Sequence, residues 1–183
     1  MRRWYSTVFG LLGYPQEEPL CVVTVGGSGV GTALLHRVLD AVSLARIVSG
    51  LRFVVVTGPR IDPRSLPRRR GVTVRGYLPD LYLHLAAADL AVVQGGLTTC
   101  MELTAGATPF RYVPLRHHFE RNFHVRARLE RYVAGRCLPY DQAVDPHALA
   151  AAIGEELGRK VAYRPVEPGG AAARAAALLA ELL

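Results

Sequence analysis

Two segments of this chain repeat one arrangement, in which a short apolar run stops at glycines and a helical pattern follows. The first run, Leu20–Val25, ends at Gly26–Gly31, and the second, Asp89–Val93, ends at Gln94–Gly96. Short β-branched apolar runs bounded by glycine are typical of buried strands. Because such runs alternate with helical patterns, the sequence predicts an α/β fold, a doubly wound parallel sheet with helices on both faces.

The rest of the chain continues this alternation. Further strands are predicted at Phe53–Thr57, Val72–Val74 and Pro109–Val113. Helices are predicted at Val30–Val48, Asp80–Ala88, Thr98–Ala105, His118–Ala134, from Asp145-Pro146 onward, and at Ala171–Leu183. Ligands of such sheets bind at the carboxyl ends of the strands, so both glycine loops are expected at the ligand-binding edge.

Composition limits both the class of protein and the class of binding partner. A hydrophobic content of 50% excludes a disordered chain, and we expect neither a transmembrane helix nor a secretory signal. The net charge is +7, and Lys160 is the only lysine, so arginine supplies nearly all the positive charge. An anionic partner is expected, either nucleic acid, a phosphorylated small molecule or an acidic membrane surface.

The three cysteines lie far apart in the sequence, at Cys21, Cys100 and Cys137. Disulfides and zinc sites in short chains use closely spaced pairs. We therefore expect reduced, mostly buried thiols in a cytoplasmic protein.

The first glycine loop fits neither of two common nucleotide-binding motifs. A Walker A loop needs a lysine after its last glycine, but Thr32 and Ala33 follow Gly31, which disfavours ATP or GTP hydrolysis. A dinucleotide site needs a closing glycine or alanine and an acid after the second strand, and both are missing. Two interpretations stay open, a loop that approaches a phosphate and a tight turn without a ligand.

The second loop leads into a helix that carries two threonines and a glutamate. Thr98 and Thr99 can cap this helix or donate hydroxyls to an anion. Glu102 can close a capping box with either threonine, or its carboxylate can accept both hydroxyls of a ribose. The residue types and their spacing alone favour the helix cap over the ribose contact.

Four motifs, in this order, carry a family resemblance. They are a strand–GGSGxG–helix, V-x-G-Y-L-P-D-L, A-A-D-L-x-V-x-Q-G-G-x-T-T-x-x-E-L and P-L-x-x-H-x-x-x-N. The series covers about residues 20–160 and resembles the C-terminal, donor-binding domain of GT-B glycosyltransferases, the group that includes the GlcNAc transferase of peptidoglycan precursor synthesis. The resemblance implies one Rossmann-like half of a GT-B fold.

The resemblance also implies a role for the residues of the first two motifs. Gly27, Ser28 and Gly29 would face the diphosphate of a UDP-sugar. Tyr77 and Leu78 would flank the uracil, largely through backbone groups.

The third motif would complete the nucleotide site. Gly96, Thr98 and Thr99 would support the phosphates, and the resemblance moves Glu102 from the cap toward the ribose hydroxyls.

The fourth motif departs from the family. His118, Glu120 and Asn122 remain expected polar contacts of the donor, but Phe119 stands where the family often has a glutamine that touches the sugar. The identity of the donor sugar is therefore open.

No metal site and no nucleic-acid site are predicted. His117, His118 and His124 lack a helical i,i+4 histidine pair and an obvious third ligand. The arginines of the helix after His118 mark an exposed face without an aromatic platform for bases. The loop Arg64–Arg70 is either solvated or attracted to an anionic membrane surface.

Together these patterns predict a donor-binding domain at residues 20–168. Residues 1–19 are expected as a lead-in or interdomain linker, and 169–183 as a helix that packs on this domain or on a missing N-terminal one. The resemblance implies metal-independent transfer of a hexosyl group, GlcNAc among the candidates, from a UDP-sugar to a hydroxyl, with no cofactor.

The general base is expected in an acceptor-binding half that this sequence does not contain, so the domain would be inactive alone. That half would be supplied in cis or by a partner subunit, in the cytoplasm and peripheral to the membrane. Two alternatives remain, a non-catalytic nucleotide-sugar-binding or regulatory module and one half of a UDP-sugar epimerase.

Overall fold

The apolar runs pair side by side as parallel strands. The structure is a computed structural model that describes residues 13–14, 18–116, 119–166 and 169–182. Within these residues one sheet has the strand order β3-β2-β1-β4-β5-β6. The strands are β1 (Leu20–Thr24), β2 (Arg52–Val56), β3 (Val72–Arg75), β4 (Leu90–Val93), β5 (Phe110–Tyr112) and β6 (Arg136–Cys137).

The first strand lies at the centre of the sheet, where the strand order reverses. Its residue Cys21 lies between Phe53 of β2 and Leu90 of β4, and both pairings are parallel. A reversal of this kind leaves a crevice between the carboxyl ends of the two strands, because the connections leave toward opposite faces. The β1/β4 edge is therefore the place where the fold positions a ligand.

Helices connect the strands. The described helices are α1 (Thr32–Ser49), α2 (Leu81–Ala87), α3 (Leu97–Ala105), α4 (Arg126–Tyr132), α5 (Pro146–Gly154) and α6 (Ala171–Ala180). Short 3-10 turns lie at Gly29–Gly31, Pro63–Ser65 and Gln142–Val144, and a π-helical turn at Glu120–Val125 precedes α4.

Side chains of the sheet alternate between two cores. Cys21 and Val23 point to one face, where they belong to a buried cluster with residues of α1 and α5 such as Leu39. Val22 points to the other face, in a cluster that includes Leu103 of α3 and residues of α4. Apolar residues on both faces explain why the strands read as continuous apolar runs. The predicted doubly wound α/β fold is confirmed.

Two predicted helices differ from those in the structure. The first begins at Thr32, since Gly29–Gly31 forms a 3-10 turn rather than α-helix. In place of the helix predicted over His118–Ala134, a π-helical turn at Glu120–Val125 is followed by α4, which ends at Tyr132 directly before Val133, whose φ of 53° is left-handed. By contrast, Asp145 caps α5 as predicted and accepts a hydrogen bond from the His147 N–H at 2.9 Å.

The two ends of the chain differ in how they are held. Near the start, a 2.7 Å hydrogen bond joins Tyr14 Oη to His84 Nδ1, and Glu18 pairs with Arg52. At the other end, every described side chain of α6 is exposed, and the packing of residues 169–183 on this domain or on a missing N-terminal one stays a prediction. Among the described residues, no helix is long and apolar enough to cross a membrane.

The cysteines are free thiols. Cys21 and Cys100 are buried, and Cys137 is half-buried. Burial raises the pKa of the Cys21 thiol, which keeps it neutral.

Candidate functional site

A cleft of about 370 Å³ opens at the carboxyl edge between β1 and β4. It lies at the strand-order reversal, and both glycine loops contribute to it. Its lining residues are Thr24, Val25, Gly26, Gly27, Ser28, Val93, Gln94, Gly96, Leu97, Thr98 and Thr99. The structure thus brings together two loops that are distant in the sequence. Across the 64 residues that separate Gln94 from Val30, the Gln94 Nε2 donates a 3.4 Å hydrogen bond to the Val30 carbonyl.

The first loop leaves its backbone open toward the cleft. A Cβ built on Gly27 would meet no atom within 4 Å, and the nearest atom to one built on Gly29 would be the Arg60 carbonyl oxygen at 4.0 Å. Thr24 steadies the turn, since its Oγ1 accepts a 3.4 Å hydrogen bond from the Gly26 N–H. Of the predicted diphosphate residues, Gly27 and Ser28 line the cleft, and Gly29 lies just beyond it.

The second loop aims the start of α3 at the cleft. The N-cap is Gly96, and no side chain caps the helix. The capping box, one of the two interpretations left open for these residues, does not form, because Thr98 and Thr99 lie inside the first turn and Glu102 lies beyond it. The first N–H groups of a helix have no intrahelical partner and carry its positive dipole end. An anion in the cleft would satisfy them.

Glu102 lies further along α3 and is free for another role. Its carboxylate accepts no hydrogen bond from a described residue, and partial burial raises its pKa. It does not line the cleft itself. The ribose role that the resemblance implies for Glu102 stays a prediction.

The residues predicted to flank the uracil lie after β3, away from the cleft lining. The side chain of Tyr77 is 72% exposed. That of Leu78 packs against the core on the α3 face and lines a separate cavity of about 190 Å³ with Tyr14 and His84. The Leu78 side chain is thus used inside the fold, which leaves its backbone as the part available for the predicted contact.

The predicted sugar-contacting segment follows β5. His118 lies outside the described residues, and for Glu120 only the backbone position in the π-helical turn is described. The Asn122 Nδ2 donates to the Leu115 carbonyl at 2.8 Å. Phe119 is 65% exposed, and its ring stacks on that of Phe123 with the centroids 4.7 Å apart.

None of the described residues of this segment lines the cleft. Nor do described His, Cys, Asp and Glu side chains anywhere group in threes that could hold a metal ion.

Sequence reasoning missed two polar residues of the cleft, Thr24 and Gln94. Each stands at or directly after the end of a buried strand and is itself only 2% exposed. The Gln94 Oε1 has no hydrogen-bond partner among the described residues, which is rare for a buried polar atom. The missed signal was a polar side chain at the carboxyl end of an apolar run, where this fold places its ligands.

The sequence is similar to curated transferases. It is 31% identical over 145 residues to a UDP-N-acetylglucosamine--N-acetylmuramyl-(pentapeptide) pyrophosphoryl-undecaprenol N-acetylglucosamine transferase of Rubrobacter xylanophilus. The alignment covers 77% of this chain and 41% of that transferase. The chain therefore spans less than half the length of this relative.

The fold is similar to solved glycosyltransferases. The MurG structure from Acinetobacter baumannii matches with a TM-score of 0.67 at 18% identity, over 92% of this chain and 51% of that one. The UDP complex of UGT89C1 from Arabidopsis thaliana matches with a TM-score of 0.55 at 16% identity, over 82% of this chain and 37% of that one. Residues 20–178 match the glycosyltransferase family 28 C-terminal domain, and the chain belongs to that family.

Proposed function

We propose that this domain binds the UDP-sugar donor of a glycosyltransferase, with the diphosphate in the β1/β4 cleft. The observation that carries the proposal is the pairing of two open glycine positions, Gly27 and Gly96, across one cleft at the sheet reversal. Backbone without side chains lets a phosphate approach the N–H groups of both loops. The names of the Rubrobacter relative and of the Arabidopsis complex both include a uridine nucleotide, which supports UDP over other diphosphates.

Transfer needs a stabilised leaving group. When the bond from the sugar to the diphosphate breaks, negative charge grows on the departing UDP. The N-terminus of α3, with Thr98 and Thr99 in its first turn, offers N–H groups and hydroxyls fixed before the reaction begins. Glu102 would fix the ribose and so hold the diphosphate in register. No metal ion or cofactor is part of the proposed mechanism.

Catalysis by this domain would require an acceptor-binding half. The domain is proposed to hold the donor alone, and a general base within reach of the acceptor hydroxyl would come from that half, in cis or from a partner subunit. The chain spans 41% of the Rubrobacter transferase, which is consistent with one half of such an enzyme. That relative's name describes a lipid-linked acceptor, which supports a site of action at a membrane surface.

The test is a calorimetric titration of the chain with UDP and UDP-GlcNAc, with ADP and CDP as matched nucleotides. We expect saturable binding of the uridine nucleotides and at least about tenfold weaker binding of the others, equal to 1.4 kcal/mol. A folded sample that gives no heat and no thermal shift with millimolar UDP would overturn the proposal. Equal affinity for all four ligands would leave a phosphate site but would refute recognition of the uridine.

A non-catalytic nucleotide-sugar-binding module is the second candidate, and Phe119 favours it. Its side chain is exposed and stacked on Phe123, at the place where the family often has a sugar-contacting glutamine. This candidate predicts UDP binding without sugar transfer when an acceptor-binding partner is added. Radiolabel transfer to a lipid acceptor, with and without Phe119→Gln, distinguishes the two functions.

A further inference from the structure

Four arginines and a tyrosine line an open cleft of about 510 Å³, well separated from the β1/β4 cleft. We name it the arginine cleft; its residues are Arg128, Arg131, Tyr132, Arg164, Pro165 and Arg174. Helix α4 ends at Tyr132, and β6 begins at Arg136. The arginine cleft therefore lies toward the amino edge of the sheet, whereas the β1/β4 cleft lies at its carboxyl edge.

The segment that brings Arg164 to this cleft is held by defined contacts. The Arg164 N–H donates a 2.8 Å hydrogen bond to the Tyr132 carbonyl at the end of α4. The neighbouring Tyr163 packs edge-on against the Phe110 ring and donates from its hydroxyl to the Thr108 carbonyl at 3.3 Å. These contacts fix the arginine to the end of α4, so the convergence of charges is built into the fold.

Three of the arginines of this cleft, Arg128, Arg131 and Arg164, pair with no carboxylate among the described residues. On the same helix, Arg126 pairs with Glu130 at 2.9 Å. Within the described part of the chain, Arg128, Arg131 and Arg164 make no salt bridge and no side-chain hydrogen bond. Arg128 and Arg131 are three residues apart on one helix, a spacing at which like charges repel. An anion in the cleft would remove that repulsion.

A second cluster of arginines shows how this chain satisfies such charge internally. Glu156 is 0% exposed and pairs with Arg111 at 2.9 Å, with Arg136 at 3.3 Å and with Arg159 at 3.0 Å. There, the buried Glu156 and its neighbour Glu155, which also pairs with Arg111 and Arg136, set two carboxylates against three arginines and join the segment after α5 to the sheet. In the arginine cleft, by contrast, the guanidinium groups of Arg128, Arg131 and Arg164 have no such carboxylate among the described residues.

We propose that the arginine cleft binds a phosphate group, carried by a soluble phosphate ester or by the headgroup of an acidic lipid. The planar guanidinium fork matches a phosphate with two parallel hydrogen bonds, which distinguishes an arginine site from a lysine patch. Arg174 lies four residues before Leu178 on α6, Leu182 follows two residues after the end of this helix, and both leucines are exposed. Apolar side chains beside a phosphate site justify a vesicle test as well as a soluble one.

The probe is inorganic pyrophosphate, titrated calorimetrically at low salt into the chain saturated with UDP, which occupies the donor site. The cleft variant is Arg128→Gln/Arg131→Gln/Arg164→Gln. The matched control, Arg64→Gln/Arg68→Gln/Arg70→Gln, removes the same charge from an exposed loop. We expect the cleft variant to lose at least about tenfold in affinity and the control to stay within about twofold. Thermal midpoints show that both variants fold.

Equal losses in the two variants, or full affinity in the cleft variant, would overturn the proposal. If UDP gives no heat, the proposed donor function fails. The pyrophosphate affinities of the two variants are then compared in UDP-free buffer, where their difference still measures binding in the arginine cleft. Co-sedimentation with phosphatidylcholine vesicles, with and without phosphatidylglycerol, shows whether the bound phosphate belongs to a lipid headgroup or to a soluble ester. Retention that depends on the cleft arginines and on phosphatidylglycerol assigns a lipid headgroup, and pyrophosphate binding without retention assigns a soluble phosphate.

Discussion

The two glycine loops look alike in sequence but are built differently. In the first loop Gly31 is buried, and a Cβ there would overlap the Val25 side chain, with even the farther Cγ1 at 2.7 Å. In the second loop Gly95 is needed for its left-handed φ of 83°, while the Tyr112 ring lies 3.5 Å from an added Cβ. Gly31 therefore depends on the absence of a side chain, whereas Gly95, like Gly26 of the first loop with its φ of 78°, depends on backbone conformation.

Each loop also contains a glycine at which neither a close contact nor a left-handed φ requires the absence of a side chain. Gly27 and Gly96 have ordinary negative φ angles, and a Cβ on either would meet no atom within 4 Å. These two positions line the cleft. The fold explains glycine at Gly31 and Gly95 but not at Gly27 and Gly96, where the proposed function assigns it to access for a ligand.

Gly31→Ala should have the largest effect. The new methyl would overlap Val25, and we expect a loss of about 3 kcal/mol in the free energy of unfolding, as for an overpacked core. Urea denaturation measures it. In a Val25→Gly background the same substitution should cost much less, since the obstructing Val25 Cβ is removed together with both methyls. Equal costs in both backgrounds would show that Val25 is not the obstacle.

Gly27→Ala and Gly96→Ala should separate access from folding. Neither methyl meets a protein atom, so the free energy of unfolding should change by less than about 0.5 kcal/mol. If a diphosphate contacts these backbones, UDP affinity should fall at least about tenfold, or 1.4 kcal/mol, in isothermal titration. Unchanged affinity in both variants would remove the diphosphate from the cleft.

Gly95→Ala should have a smaller, purely conformational cost. Alanine in the left-handed region loses about 1 kcal/mol, and the contact with Tyr112 is ordinary van der Waals distance. Thermal denaturation checks this value. Gly154→Ala, in α5 with open space around it and a negative φ, is the matched control and should be neutral or slightly stabilising. A loss at Gly95 as large as at Gly31 would erase the difference between the loops.

The sequence predicted the strands and their parallel pairing because apolar runs buried on both faces leave a clear pattern. It also predicted that both loops would meet at the carboxyl edge, since parallel strands share one direction. It could not separate Gly27 from Gly31, because the role of each depends on whether Val25 or open space lies opposite. That information comes from the tertiary packing alone.

The capping of α3 shows a second limit. Thr98, Thr99 and Glu102 have the spacing of a capping box, yet the helix begins one residue before Thr98, at Leu97. A shift of one or two residues at a helix start is beyond what residue preferences resolve. The same shift moves both threonines into the first turn, where their hydroxyls and N–H groups can serve an anion. The observed helix start therefore removes the cap and leaves the anion contact, the other role predicted for Thr98 and Thr99.

Glu102 should give the smallest effect, in the dependence of donor binding on pH. Partial burial raises its pKa, so it gains a proton at a higher pH than an ordinary glutamate. If the ionised carboxylate accepts hydrogen bonds from the ribose, binding favours the charged form and weakens as pH falls through this pKa. We expect affinity for UDP-GlcNAc to fall about threefold between about pH 7 and about pH 5. The donor is used instead of UDP, whose terminal phosphate itself titrates in this range.

Glu102→Gln separates this carboxylate from other titrating groups. The amide retains the shape of the side chain but does not ionise, so the variant should bind the donor more weakly at neutral pH and show a flatter profile. His84, whose pKa burial lowers, is present in both proteins and contributes equally to both profiles. A variant with the same acid-side loss as the parent would take Glu102 out of the donor site. The second loop would then contact the phosphates alone, as the first loop is proposed to do.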